Sequence, residues 1–215
     1  MAQGIIIFGA SGSGTSTIGR ALAQELGFSH FETDNFSTVD TKAKSVRNGP
    51  DGAEIANASR RFSATGGTDF ELFCYDIPFT VSRPLDERIK LLQSAIVGCN
   101  GFVISGSMWD WSEPFVPLFD LAVFVTAPTD VRVARLEERE RERYGARVCE
   151  GGDMYNNSRK FIEFAKTYDT DNPDRSLRLH EEWIATLPCP VLRVDGTATV
   201  SENIARIVEQ YNKQS

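Results

Sequence analysis

The stretch Gly4–Gly27, GIIIFGASGSGTSTIGRALAQELG, decides how the chain folds. Its apolar residues Ile5–Phe8 follow one another without interruption and are mostly β-branched, which is typical of a strand buried on both faces. A glycine-rich segment, Gly9–Ser16, comes next, and apolar residues then recur at helical spacing over Ile18–Leu26 until Gly27. The pattern predicts a strand, a glycine-rich turn and a helix, an arrangement that presents backbone N–H groups to an anion.

The glycine-rich segment fits the phosphate-binding loop (P-loop) G-x-x-x-x-G-K-[ST] except at the lysine. Gly9 and Gly14 occupy the glycine positions, and Ser16 provides the hydroxyl that is expected to ligate Mg²⁺. Thr15 stands where a lysine would give a point charge to the β- and γ-phosphates. We therefore predict that the segment binds a nucleotide and that another cation replaces the lysine. The predicted contacts are Gly9, Ser11, Gly12, Ser13, Gly14, Thr15, Ser16 and Thr17.

Two other interpretations of this segment stay open. It could be a glycine-rich turn without a ligand, or a Rossmann loop that binds a dinucleotide. The Rossmann pattern G-x-G-x-x-G, begun at Gly12, would need a glycine at Thr17, whereas the observed spacing is G-x-x-G-x-G. A short-chain dehydrogenase would also be expected to carry Tyr-x-x-x-Lys, but Tyr155 is followed four residues later by Arg159.

Composition limits the partners and the compartment. The 215 residues suit one domain, 1–215, with an insertion and a lid, and the net charge of −7 disfavours a general nucleic-acid binder. The sequence contains no apolar run of membrane-spanning length and no targeting signal, so we expect a cytoplasmic protein without a membrane partner. Widely spaced cysteines favour free thiols in a reducing cytosol rather than a zinc site: Cys74, Cys99, Cys149 and Cys189.

A second short strand, 28–31, is predicted to lead into Asp34. Ligands of doubly wound sheets bind at the carboxyl ends of the strands, so Asp34 could bind a substrate hydroxyl or act as a base towards it. The alternative is an aspartate that begins a turn or caps a helix. The irregular segment that follows is longer than an ordinary connection, which indicates an insertion over about 35–84. Within it, Arg60 and Arg83 are candidates for holding an anionic acceptor, unless they are simply solvated.

Three more strands are predicted at Gly101–Ser105, Leu121–Val125 and Val191–Val194. The first two are of buried type, and the last two are followed by helical periodicity. After the second of the three strands, a long helix is predicted to begin a lid over about 129–168. Four arginines on this helix fall near one face, which would suit a clamp on the γ-phosphate, although a solvated helix with ion pairs explains the pattern equally well. They are Arg132, Arg135, Arg139 and Arg143.

Taken together, the chain resembles the P-loop nucleoside and nucleotide kinase group, which includes adenylate, shikimate and gluconate kinases. The matching segments are GASGSGTS at 9–16, Asp34, FVISGS at 102–107, FDLAVFVTAP at 119–128, R-L-x-x-R at 135–139 and VDGT at 194–197. The resemblance implies an α/β P-loop NTPase fold, in which helices flank a five-stranded parallel sheet that carries an acceptor-binding insertion and a helical lid. It also implies that Arg135 and Arg139 are lid arginines, that Gly196 and Thr197 lie beside the base of ATP, and that Asp34 contacts the acceptor.

These observations predict a kinase that uses ATP, or another NTP, with Mg²⁺ to phosphorylate a nucleotide, a nucleoside or another small hydroxylated metabolite. Such an enzyme would act as a monomer or a homodimer on a small-molecule phosphate acceptor. The alternative from a different class is a nucleotide-binding sensor or regulator without catalysis. Thr15 favours this alternative, and so does Ser105, which stands where many P-loop enzymes end the strand with a carboxylate.

Overall fold

The computed structural model describes residues 3–38 and 82–213, together with the backbone of two short strands at 47–48 and 54–55. The described strands are β1 (Gln3–Gly9), β2 (Ser29–Glu32), β3 (Arg47–Asn48), β4 (Glu54–Ile55), β5 (Gly101–Ser105), β6 (Phe119–Thr126) and β7 (Val191–Asp195). Five of them form a parallel sheet in the order β2-β5-β1-β6-β7, and β3 pairs with β4 in an antiparallel ribbon. The predicted parallel α/β fold is confirmed.

Seven helices are described: α1 (Thr15–Leu26), α2 (Thr33–Ser37), α3 (Leu85–Ile96), α4 (Thr129–Tyr144), α5 (Tyr155–Lys166), α6 (Leu177–Ile184) and α7 (Val200–Asn212). Short 3₁₀ turns lie at Val116–Leu118, Gly145–Val148 and Thr167–Asp169. These bounds differ from the sequence-based ones by a few residues, because hydrophobic periodicity locates the middle of an element better than its ends.

The sheet lies between two layers of helices, and β1 shows why. Side chains alternate across a strand, so Ile5 and Ile7 pack into a cluster with α1 and α7, while Ile6 and Phe8 pack on the opposite face with α3 and α6. All four side chains are fully buried. Burial of a β-branched residue on either face stabilises the strand by about 1.5–3 kcal/mol. The uninterrupted apolar run in the sequence is therefore the signature of the central strand.

Strand order determines where a ligand can bind. From β1 the chain proceeds to β2 and β5 on one side and then crosses to β6 and β7 on the other. The loop after β1 consequently lies at the switch point of the sheet, where a crevice opens beyond the carboxyl ends of the strands.

Helices α4 and α5 form a hairpin with a small core of its own, made by Leu136, Ile162 and Ala165. The chain leaves the main fold at Thr38 and returns at Ser82, and these two residues form an antiparallel β-bridge. Most of the predicted insertion lies outside the described residues. Among those described, no helix combines the length and the apolar character needed to cross a membrane.

Candidate active site

The glycine-rich segment forms a tight loop between β1 and α1. Gly12 and Gly14 have φ angles of 82° and 108°, which side-chain-bearing residues rarely adopt. A Cβ at Gly9 would lie 2.2 Å from the carbonyl oxygen of Val125. Likewise, a Cβ at Gly196 would lie 2.1 Å from the carbonyl oxygen of Ser13. Glycine is therefore required by backbone conformation at two positions and by close packing at the others.

Helix α1 begins in this loop with its first-turn N–H groups available. Its N-cap is Gly14, and no side chain caps the helix. Unsatisfied N–H groups and the positive end of the helix dipole both favour a phosphate here. A cleft of about 520 Å³ opens in front of the loop. Its wall includes Gly9, Ala10, Ser11, Gly12, Thr15, Ser16, Glu32, Thr33, Asp34, Ser105, Gly106, Ser107, Arg139, Glu140, Arg143, Tyr144, Asn157, Lys160, Phe161 and Arg175.

Not every predicted phosphate contact reaches this wall. Ser11, Thr15 and Ser16 line the cleft, whereas the Ser13 side chain is fully buried beneath the loop and Thr17 is exposed on the outer side of α1. Thr197 is bonded to Asp195, with its Oγ1 2.7 Å from the carboxylate. Its structural role is to shape the turn after β7.

The hydroxyl of Ser16 donates a hydrogen bond to the Glu32 carboxylate over 3.0 Å. Arg20 holds the other carboxylate oxygen at 2.9 Å. Glu32 ends β2 and lies opposite Ser105 in the register with β5. The carboxylate that is missing from the end of β5 is thus supplied by the neighbouring strand. The contact of Glu32 with Ser16 depends on the strand register, which the sequence pattern does not show.

Arg139 is the predicted lid arginine that faces the cleft. Its guanidinium lies over the ring of Phe161 at 5.8 Å, and its Nε is buried without a hydrogen-bond partner among the described residues. Burial lowers the pKa of this group from its ordinary value, and the charge of Arg143 acts in the same direction, while Glu140 and Asp34 raise it. A half-buried cation without a bonded carboxylate is costly, which makes Arg139 suited to receive an anion.

Arg135, one turn earlier on α4, has a different position. Its guanidinium donates to the carbonyl oxygens of Gly12 and Gly196 over 3.4 and 3.0 Å. It therefore ties the phosphate loop to the turn after β7. The structure places it beside the nucleotide loop, but not on the cleft wall with Arg139.

Arg132 was predicted to belong to the clamp on the γ-phosphate, but it lies away from the cleft. Only 1% of its side chain is exposed, and it forms an ion pair with Asp169. The same guanidinium donates to the carbonyl oxygens of Ala127 and Ala165 and lies over the ring of Tyr168. These bonds occupy its donors, so Arg132 joins the base of the lid to the main fold and has no access to the cleft.

Of the three predicted acceptor contacts, one lines the cleft, one has a structural role and one lies outside the described residues. Asp34 lies in the first turn of α2 and lines the cleft. Arg83 instead donates to the carbonyl oxygens of Phe36 and Thr38 and pairs with Glu87, so it fastens the returning chain to α2. Arg60 lies outside the described residues.

Three further cations line the cleft: Arg143, Lys160 and Arg175. Arg143 shares a helix face with Arg139 at a spacing of four residues, which the sequence pattern already indicated. Lys160 and Arg175 come from α5 and from the segment before α6, and only the tertiary fold brings them to the loop.

Both histidines of the chain hold a serine near the end of β5. His30 Nε2 lies 2.8 Å from Ser105 Oγ, and His180 Nε2 lies 2.8 Å from Ser107 Oγ. The other ring nitrogen of His180 lies 2.6 Å from the hydroxyl of Tyr168. His180 is fully buried, and burial lowers its pKa to about 4.

This buried imidazole predicts a loss of stability in mild acid. Below pH 6.5 the unfolded chain binds a proton that the folded chain binds only near pH 4, so the free energy of unfolding falls with pH. Between pH 6.5 and 5 we expect a loss of about 2 kcal/mol from His180. Burial lowers the pKa of His30 as well, which adds a loss of the same sign.

Urea unfolding at several pH values measures this loss. His180→Gln should make the free energy of unfolding depend less on pH between pH 6.5 and 5. His30→Gln should retain the part of the pH dependence that comes from His180. Equal slopes in wild type and His180→Gln would contradict the assignment of a neutral buried imidazole.

The sheet order and the loop after β1 together define a P-loop protein whose fold is kinase-like. A family model described as an AAA domain matches residues 5–163, and the chain belongs to that family. It is also 34% identical over 210 residues to the uncharacterized protein YqaC of Bacillus subtilis (strain 168), with 97% of both chains covered.

Two kinases of known structure are similar to this chain at low sequence identity. Shikimate kinase from Acinetobacter baumannii, solved in complex with shikimate, has a TM-score of 0.50 and 12% identity over 98% of this chain and 92% of that chain. A sugar kinase from Janibacter sp. HTCC2649 has a TM-score of 0.45 and 15% identity over 100% of this chain and 96% of that chain. Such identities show the fold alone. The chain has a kinase-like P-loop fold.

Proposed function

We propose that the protein is a Mg²⁺-dependent phosphotransferase that moves the γ-phosphoryl group of ATP, or of another NTP, to a hydroxyl group of a small molecule. The observation that carries this proposal is Arg139. Its Nε is buried without a hydrogen-bond partner among the described residues. Arg139 also lines the same cleft as the phosphate loop, in which Thr15 supplies no charge. Arg139 would supply the positive charge that the neutral Thr15 does not give to the phosphates.

The nucleotide would be held by the chain as follows. Backbone N–H groups of the loop between Gly9 and Ser16 would bind the phosphates, because no side chain caps α1. Arg135 fixes this loop against Gly196, and the turn at Gly196 and Thr197 is where we expect the base. Binding energy from these fixed groups positions the γ-phosphoryl group for transfer.

Ser16 and Glu32 are the residues that would hold Mg²⁺. Their oxygens lie 3.0 Å apart beside the loop, and hydroxyl and carboxylate oxygens are the donors that this hard cation prefers. When bound, Mg²⁺ would neutralise part of the phosphate charge. The fit is supported by the Ser16–Glu32 hydrogen bond, which shows that both side chains already point to one place.

The chain itself would perform two chemical tasks. The acceptor oxygen bonds to the γ-phosphorus while the bond to the β,γ-bridging oxygen breaks, and the hydroxyl proton passes to the Asp34 carboxylate. Arg139 would stabilise the charge that spreads over the transferred group. The Asp34 carboxylate raises the pKa of the Arg139 guanidinium, and both residues line the cleft, which supports their proposed roles as base and clamp.

Acceptor-dependent ADP formation tests this proposal. A thermal-shift panel of nucleotides and hydroxylated metabolites, with and without Mg²⁺, selects the pairs, and a coupled assay then measures ADP. Release of ADP only when an acceptor is added supports the proposal. Tight nucleotide binding without transfer to any acceptor would favour the second candidate, a nucleotide sensor, for which the neutral Thr15 is the specific observation. A small-molecule partner and a cytoplasmic location belong to the same proposal.

Removal of either proposed metal ligand should weaken Mg²⁺-nucleotide binding selectively. We expect Ser16→Ala and Glu32→Gln each to lower the affinity for Mg·ATP by about tenfold or more, and to change metal-free ATP binding little. Calorimetric titration with Mg²⁺ and with EDTA measures both affinities. Glu25→Gln, an exposed carboxylate on the same helix as Ser16, is the matched control. Equal losses with and without metal would contradict a metal-binding role.

A further inference from the structure

We infer that Ser107 and Arg175 form a separate anion-binding subsite in the cleft, which takes a carboxylate or phosphate group of the acceptor substrate. The inference rests on the proposed phosphotransferase function and narrows its substrate class to acidic hydroxylated molecules.

Ser107 is held in place by a chain of buried polar groups. It follows Gly106, whose φ of 112° turns the chain into the cleft at the end of β5. Its Oγ is bonded to the Nε2 atom of His180, and the Nδ1 atom of the same ring is bonded to the hydroxyl of Tyr168. Ser107 therefore has a fixed hydroxyl position on the wall, set by side chains that solvent does not reach.

The direction of the hydrogen bonds among Tyr168, His180 and Ser107 decides whether the Ser107 hydroxyl can donate to a ligand. We assign the Tyr168 hydroxyl as the donor to His180 Nδ1, because a phenol donates more readily than it accepts, and this assignment leaves Nε2 protonated. That N–H donates to Ser107 Oγ, and the serine proton is then free to point into the cleft. Burial keeps His180 neutral and raises the pKa of Tyr168, so each group carries a single proton near neutral pH.

Arg175 supplies positive charge on the same cleft wall as this hydroxyl. It is half-buried on the cleft wall, and its charge lowers the pKa of His180. Among the described residues Arg175 has no ion pair. Of the carboxylates on the wall, Glu32 is bonded to Ser16 and Arg20, while the charges of Glu140 and Asp34 raise the pKa of Arg139. A fixed hydroxyl donor with an unmatched guanidinium favours an anion over a neutral hydroxyl.

Inorganic phosphate is a suitable probe once the nucleotide loop is filled. The protein is saturated with Mg²⁺ and a non-hydrolysable ATP analogue, and phosphate is titrated while ¹H–¹⁵N NMR follows the two imidazoles. We expect saturable binding that shifts the signals of His180 in its Nε2–H tautomer. Ser107→Ala and, separately, Arg175→Gln should weaken this binding by about tenfold or more, the usual consequence of losing one charge-assisted hydrogen bond.

Ser105→Ala is the matched control, because it removes a serine bonded to the other histidine at the same distance of 2.8 Å. It should leave phosphate binding unchanged. The subsite is overturned if phosphate does not saturate, if Ser107→Ala binds it as wild type does, or if His180 carries its proton on Nδ1. Failure of the analogue itself to bind is a different result, which contradicts the proposed function and is measured in the preceding nucleotide titration.

Discussion

Replacement of Arg139 by alanine is expected to lower turnover by about a hundredfold or more, as loss of one donor that stabilises transition-state charge commonly does. The loop offers no charge at Thr15, so the developing charge depends on this guanidinium more than it would in a loop with lysine. Folding should be retained, because Arg139 forms no ion pair with another described residue and its Nε has no partner to lose. Steady-state ADP formation with a saturating acceptor measures the effect.

Arg141→Ala is the matched control for this experiment. Arg141 lies two residues further along the same helix and is exposed, so its removal should leave turnover within about twofold, as surface charges contribute little. Arg139→Lys should recover only part of the activity, because lysine lacks the planar fork. Full activity in Arg139→Ala would contradict the clamp and would direct attention to Lys160 or Arg143, which line the same cleft.

Alanine at Gly12 should lower nucleotide affinity by more than about a hundredfold. The φ of 82° at this position strains any side-chain-bearing residue, and the new Cβ would lie 2.5 Å from the carbonyl oxygen of Arg132. That oxygen belongs to helix α4, so the loop must move instead. Loss of two N–H bonds to phosphate, at about 1.5–3 kcal/mol each, is enough for the expected change. Titration with ATP by calorimetry measures it.

Gly98→Ala is the control that separates backbone strain at a positive φ from displacement of the loop by a new Cβ. Gly98 has a φ of 85°, but a Cβ there would meet no atom within 4 Å. This variant should lose about 1–2 kcal/mol of stability from strain alone and bind ATP as wild type does. Normal ATP binding in Gly12→Ala would show that the loop does not hold the phosphates.

The fold could be predicted from sequence because its decisive signals are local. The run Ile5–Phe8 specifies a strand buried on both faces, and the glycines that follow specify a tight loop before α1. The family resemblance then implied a five-stranded parallel sheet, whereas the strand order comes from the structure. The phosphate side of the site was predicted for the same reason, since Gly9–Ser16 is a continuous segment.

The remainder of the site depends on contacts between distant segments. Helical spacing places four arginines near one face of α4, but it cannot show that Asp169 and Ala165 enclose Arg132 while Arg139 stays open to the cleft. Glu32 reaches Ser16 through strand register, and Ser107 is fixed by a histidine 73 residues away. Periodic sequence patterns show which residues share a face of one helix or strand. They do not show which residues of two different elements contact each other.

The bridge between Thr38 and Ser82 holds together the two points at which the chain leaves the main fold and returns to it. Arg83 reinforces this closed base by donating its backbone N–H to Ser37 and its guanidinium to Phe36 and Thr38. Since the entropy of closing a loop rises by only about 0.6 kcal/mol for each doubling of its length, such a base tolerates replacement of what lies between its ends. The length of the chain between Thr38 and Ser82 is therefore free to change over evolution, while the sheet and the loop after β1 keep their positions.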